Sequence, residues 1–144
     1  MDTKKTITIQ AIINAPVEKV WQLYTAPEHI TQWNHASDDW HCPRAENDLK
    51  PGGKFNYRME AKDGSFGFDF YGTYQKIKTS ELIDYTLGDG RKVMVTFTEK
   101  KNETYIEIKF EAESTHAIEI QRNGWQAILG NFKKYAEGKH HDKI

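Results

Sequence analysis

Between residues 5 and 14, Ile7, Ile9, Ala11 and Ile13 alternate with Thr6, Thr8 and Gln10, which predicts a strand with one buried face. The period then lengthens. Pro16 stands where a first helical turn tolerates proline, and Val17, Val20, Trp21 and Tyr24 follow at i, i+3, i+4 and i+7, predicting a short amphipathic helix. Pro27 restarts the pattern, and Ile30 with Trp33 marks a second small helix. Residues 34–52 are polar and irregular and end in Pro51-Gly52-Gly53, which predicts a long connection of the kind that often carries function.

Period two returns after residue 53. Phe55, Tyr57 and Met59 alternate with Asn56, Arg58 and Glu60, and Asp63-Gly64 is a turn signal before Phe66, Phe68 and Phe70, with Gly72 and Tyr74 beyond them. Further strands are predicted near 81–87, 92–99 and 104–112, separated by turns at Gly88-Asp89-Gly90 and Lys101-Asn102. From 117 to 137 the period is helical. Trp125, Ile128, Leu129, Phe132, Tyr135 and Ala136 form one stripe, Lys133 and Lys134 suit the C-terminal dipole, and Gly138 is a natural stop. Gly124 falls at the edge of that stripe, where it would permit close approach, while Gly130 faces away.

This order predicts an α+β domain: about six antiparallel strands and one long C-terminal helix, with two short helices after the first strand. A sheet that wide curls, with Gly67 and Gly72 as the expected bends or bulges. The helix has one apolar stripe to bury, and the concave sheet face is its natural partner. The length of 144 residues fits one domain over 1–144, with flexible ends expected at 1–4 and 139–144.

Composition narrows the function classes. A net charge of −1 from 20 basic and 21 acidic residues leaves no footprint for nucleic acid or anionic lipid, so neither a nucleic-acid nor a membrane partner is expected. No segment approaches transmembrane length or resembles a signal peptide, and Cys42 is the lone cysteine; the cytoplasm is the expected compartment. Four Trp, seven Tyr and seven Phe provide a surplus of rings suited to a tight core or to a pocket for a flat ligand.

Several short segments together resemble the START-like (SRPBCC) superfamily: Ala15-Pro16-Val17-Glu18-Lys19-Val20-Trp21, Pro27-Glu28-His29-Ile30 with Trp33, Pro51-Gly52-Gly53-Lys54-Phe55, Gly72-Thr73-Tyr74, and the closing Gly124-Trp125 helix. Within it, the chain is similar to the branch homologous to the C-terminal domain of the activator of the ninety-kilodalton heat-shock chaperone ATPase. The resemblance implies a helix-grip fold, as in birch-pollen-allergen-like proteins, with a deep hydrophobic cavity. The superfamily includes lipid carriers, polyketide cyclases and plant hormone-binding proteins. The co-regulator's additional N-terminal domain has no counterpart here, which sets a chaperone partner behind a small hydrophobic molecule as the expected guest.

On that resemblance the cavity wall is expected to hold Trp33 and Trp40, then Phe55, Tyr57 and Met59, then Phe68, Phe70, Tyr74 and Tyr85. Trp125, Leu129 and Phe132 of the long helix are expected opposite them. Tyr57, Tyr74 and Tyr85 would add hydroxyls for directional hydrogen bonds. Catalytic residues, metal ligands and cofactors are not predicted: His29, His35 and His41 match no ligand spacing, and Cys42 beside His41 does not make a catalytic pair, since sequence neighbours rarely face one another. Arg58, Glu60 and Asp69 are expected on the solvated face. Binding of an aromatic or lipid-like molecule is thus the first functional reading, a cyclase-like enzyme the second, and a protein-interaction domain the third.

Overall fold

The computed structural model describes residues 5–141, with side chains through residue 138. The flexible ends expected at 1–4 and 139–144 lie outside the described residues, apart from the backbone of 139–141, which is helical. The chain runs β1 (Thr6–Ile13), α1 (Val17–Thr25), α2 (Pro27–Trp33), β2 (Trp40–Asn47), β3 (Lys54–Ala61), β4 (Gly67–Lys78), β5 (Leu82–Leu87), β6 (Lys92–Lys100), β7 (Glu103–Glu111) and α3 (Ile118–His141). All neighbouring strands are antiparallel, in the order β1-β7-β6-β5-β4-β3-β2. This is the expected α+β architecture, a curled antiparallel half-barrel around a long C-terminal helix.

Four expectations change. The sheet has seven strands, because part of the stretch expected to be irregular forms β2, an edge strand paired with β3. Its sequence, Trp40-His41-Cys42-Pro43-Arg44-Ala45-Glu46-Asn47, hides the alternation because the register shifts between His41 and Arg44, and an edge position tolerates the proline. Gly67 and Gly72 pair in regular register; the other shift lies between Tyr74 and Lys76. Gly72 serves a close approach instead, since a Cβ there would lie 2.4 Å from the Thr86 carbonyl oxygen and 3.0 Å from the Phe55 ring. A Cβ at Gly124 would meet nothing within 4 Å, so close approach does not explain it, and nothing in the structure explains Gly130. Finally, α3 runs through Gly138 to His141.

Turn chemistry closes the meander where the sequence places it. Gly64 and Gly90 adopt φ of 79° and 94°, while Lys101 and Asn102 adopt 53° and 65°, the double left-handed pair of a tight hairpin.

The core lies to one side. Ile7 and Ile9 of β1, Val93 and Val95 of β6, and Ile106 and Phe110 of β7 pack with Leu129, Phe132 and Ala136 of α3, none more than 2% exposed. Each large apolar side chain so buried contributes about 1.5–3 kcal/mol. Polar ties hold α3 along β1: Lys133 Nζ donates to the Ile12 carbonyl at 2.6 Å, and the Asn14 amide donates to Glu137 at 3.0 Å. With α3 packed on β1 and α2 on β2, strands β3 to β5 curve away from α3 and leave a wedge.

Candidate functional site

That wedge is a cavity of about 210 Å³. Its wall comes from α1, α2 and the residue after it, from β3, β4, β5 and β7, and from α3. Phe55 is the hub of the sheet side, with its ring 5.0–6.1 Å from those of Tyr57, Phe70, Tyr74 and Tyr85. Across the wedge Trp125 stacks on Phe110 at 3.9 Å and meets Phe70 edge-on at 6.0 Å. At the helical end Tyr24 stacks on Trp33 at 5.1 Å, and Phe132 braces both rings from behind. The Trp33 indole donates to the Leu23 carbonyl at 3.0 Å, fixing its orientation.

Ten of the twelve expected residues border this space: Trp33, Phe55, Tyr57, Met59, Phe68, Phe70, Tyr74, Tyr85, Trp125 and Leu129. Two do not. Phe132 is fully buried behind Tyr24 and Trp33, one turn beyond the cavity, because the helical stripe runs longer than the wedge it faces. Trp40 starts edge strand β2 and packs outside against Phe66 and Phe68, both centroids 6.0 Å away. Phe66 is 61% exposed and Phe68 43%, so these three rings form an apolar patch on the surface, and Phe68 touches both the patch and the cavity. The lining residues that sequence reasoning missed include Tyr24, Thr25, Asn34, Ile83 and Ile108. Tyr24 stood in the stripe of α1, where periodicity marks burial without telling core from cavity.

Among the described residues, no lysine, arginine, histidine, aspartate or glutamate borders the cavity. Its polar groups are chiefly four phenols from four elements: Tyr24 of α1, Tyr57 of β3, Tyr74 of β4 and Tyr85 of β5. The Tyr57 and Tyr74 hydroxyls are 3.4 Å apart, long for an O–H···O bond. Tyr74 also meets the Asn47 side chain, whose Nδ2 donates to the Thr25 carbonyl at 2.8 Å. Burial pushes all four phenols above the ordinary tyrosine range, and neighbouring phenols add to the effect at Tyr24, Tyr57 and Tyr85. They stay protonated, and so remain hydrogen-bond donors, at neutral pH.

The remaining titratable candidates disperse. His29 Nδ1 lies 2.6 Å from the Tyr135 hydroxyl, tying α2 to α3, while His41 on β2 faces Glu60 at 3.8 Å. His35 is held below the usual imidazole range, by burial first and then by Lys62; its Nδ1 is buried without a hydrogen-bond partner among the described residues. Cys42 is 2% exposed, its Sγ donates to the Arg44 carbonyl at 3.3 Å, and burial pushes the thiol up to about 11. Arg58 lies on the outer face, 2.8 Å from Glu60 and 3.5 Å from Asp69. Among the described residues no group of three or more His, Cys, Asp or Glu is placed to hold a metal ion, and no helix is long and apolar enough to cross a membrane.

Comparison with known proteins places this architecture. The chain is similar to the AHSA1-like protein of Aeromonas hydrophila, at 40% identity over 94% of each chain with a TM-score of 0.89. It is also similar to Chr148 of Cytophaga hutchinsonii, at 48% identity over 94% of each chain with a TM-score of 0.81. The protein NE0264 of Nitrosomonas europaea shares the fold at 15% identity, with a TM-score of 0.81 over 98% of this chain and 99% of its own. No curated protein matches the chain. The family model described as activator of Hsp90 ATPase homolog 1-like protein spans residues 14–137, from the turn after β1 through most of α3, so every residue that borders the cavity falls inside it. The curled sheet, the long gripping helix and two close structural relatives agree with that match: the chain belongs to the activator of Hsp90 ATPase homolog 1-like family.

Proposed function

We propose that this protein binds a small hydrophobic molecule, aromatic or lipid-like, between the concave sheet and α3. The observation that carries the reading is the cavity of about 210 Å³ with its continuous wall of rings and aliphatic side chains. An apolar cavity of about 150 Å³ already takes up benzene, so this one suits a guest of one or two rings or a short acyl segment. Family and fold point the same way, toward a domain that binds a ligand or a partner. Binding is favoured over turnover because acid–base chemistry uses titratable groups whose environments push their pKa values apart. The four phenols here are all pushed in one direction.

The test is a thermal-shift screen against flavonoids, fatty acids and polyketides of graded size. A ligand at 100 times its Kd stabilises the fold by about 2.7 kcal/mol, a rise of several degrees for a domain of this length. Silence across the whole library would remove the reading.

A second reading, docking of a chaperone partner as the family description suggests, is favoured by the exposed rings Phe66 and Phe68 beside Trp40. It requires a complex with the host chaperone at micromolar concentration. Replacing Phe66 by Ser should weaken that complex and leave small-molecule binding intact.

A further inference from the structure

The polar equipment of the cavity is narrow, and part of its hydrogen-bonding capacity is unused. Thr25 Oγ1 is occupied by the Trp21 carbonyl at 2.7 Å. Asn34 is engaged with the Cys42 thiol. Among the described residues, Tyr74 has two neighbours, Tyr57 and Asn47, and Tyr57 has only the long contact of 3.4 Å. Among the described residues, the hydroxyls of Tyr24 and Tyr85 have no hydrogen-bond partner at all, although both side chains border the cavity. Neither hydroxyl is sealed off: the buried side-chain polar atoms without a partner among the described residues are His35 Nδ1 and Asn56 Oδ1, so the two phenols open onto the cavity. A guest that covered them without pairing would leave buried donors unsatisfied at about 1–3 kcal/mol each.

We infer that the phenols of Tyr24, Tyr57, Tyr74 and Tyr85 form the polar anchor of the cavity, and that its guest is an uncharged one- or two-ring compound bearing a hydrogen-bond acceptor such as a ketone or quinone oxygen. The inference rests on the cavity-binding reading above and narrows it. Each spare phenol brings one O–H donor along with acceptor lone pairs, and a buried donor left unpaired is tolerated less often than an acceptor, so an acceptor on the guest meets the stricter requirement. The guest is neutral because, among the described residues, no cationic side chain borders the space to balance a carboxylate or phosphate, and an unpaired buried charge is far costlier than an unpaired dipole. Arg91 acts on Tyr85 through its charge, and it lies outside the lining in an ion pair with Asp89 at 2.8 Å. Free fatty acids and aromatic acids are therefore excluded as anions, while their esters and ketone counterparts are admitted.

Three compounds of nearly the same shape separate these terms: 2-acetonaphthone, 2-isopropylnaphthalene and 2-naphthoate. Affinities are measured at pH 8 by calorimetry or by NMR titration of the labelled full chain and of the Tyr24→Phe/Tyr85→Phe double variant. The inference expects the ketone and the hydrocarbon to bind the wild type and the naphthoate to bind at least 100-fold more weakly than the ketone. In the double variant the ketone should lose about tenfold, while the hydrocarbon holds or improves. Tyr57→Phe replaces the double variant if circular dichroism shows the latter unfolded. If ketone and hydrocarbon bind but the Phe variants treat them alike, the phenols are not the anchor and only the general cavity reading survives. Naphthoate binding as tightly as the ketone overturns the neutrality argument. If none of the three binds, the inference falls, while the cavity reading falls only if the graded library is silent as well.

Discussion

The cavity can be partly filled by one side chain, which should cost binding while leaving the fold nearly as stable as before. Ile128 projects from α3 into the lining, between the fully buried Leu129 and the stacked Trp125. Replacing it by tryptophan places an extra ring in the wedge at almost no change in helix propensity. The indole takes the place of the isoleucine side chain, so the net packed volume gained is only about 60 Å³ and roughly 150 Å³ of the 210 Å³ remains, room for one ring but not for a two-ring guest. Removing that much void is worth at most about 1.5 kcal/mol at the usual cost per unit of cavity volume, and imperfect fit takes back about 1–3 kcal/mol. Ile128→Trp should therefore stay within about 1.5 kcal/mol of the wild type in equilibrium urea unfolding. In calorimetry the same protein should lose at least tenfold in affinity for 2-acetonaphthone. Ile83→Phe, from the opposite wall, should do the same in milder form. A well-folded Ile128→Trp protein that keeps wild-type affinity would refute the reasoning, because the guest would then sit elsewhere.

Alkaline titration tests the phenol cluster. A tyrosine whose folded pKa is raised binds more protons in the folded than in the unfolded chain once pH passes about 10, so stability is fully present below that pH and falls above it. The slope is about 1.4 kcal/mol per pH unit for each such tyrosine, and phenolate absorbance of Tyr24, Tyr57, Tyr74 and Tyr85 should appear only with unfolding. A gradual rise near pH 10 for all seven tyrosines, with near-UV dichroism retained, would contradict the burial. Cys42, buried with its thiol pushed up to about 11, should resist iodoacetamide at pH 8 and react at the rate of a free thiol only after urea unfolding; rapid native-state labelling would be inconsistent with this placement. Gly72→Ala would drive a methyl into the Thr86 carbonyl and the Phe55 ring, both held by the sheet and core. It should cost about 2 kcal/mol or more in urea unfolding, and an unchanged midpoint would show that the strand pair relaxes freely.

Periodicity along the chain determined most of the architecture by itself. Alternation in β1 and β3 to β7, the stripes of α1 and α3, and left-handed turn residues such as Asn102 and Gly64 are local signals, and each element forms where its own residues place it. Alternation also determined that Tyr57, Tyr74 and Tyr85 point to the concave face, with Arg58 and Asp69 to the convex one. Other features depended on tertiary structure. Strand β2 is held by pairing with β3 across a register shift that erases its alternation, so only the partner strand reveals it. Trp40 and Phe132 are ring residues like the others, yet one packs outside and the other lies beyond the cavity's end, because lining is decided by where the wedge opens. Tyr24 joins the three strand phenols from a different element, far away in sequence. Whether a buried stripe becomes core or cavity wall depends on how far two packed surfaces diverge. Here α3 lies against β1 while β3 to β5 bend away, a distance between layers that no single stretch of sequence encodes.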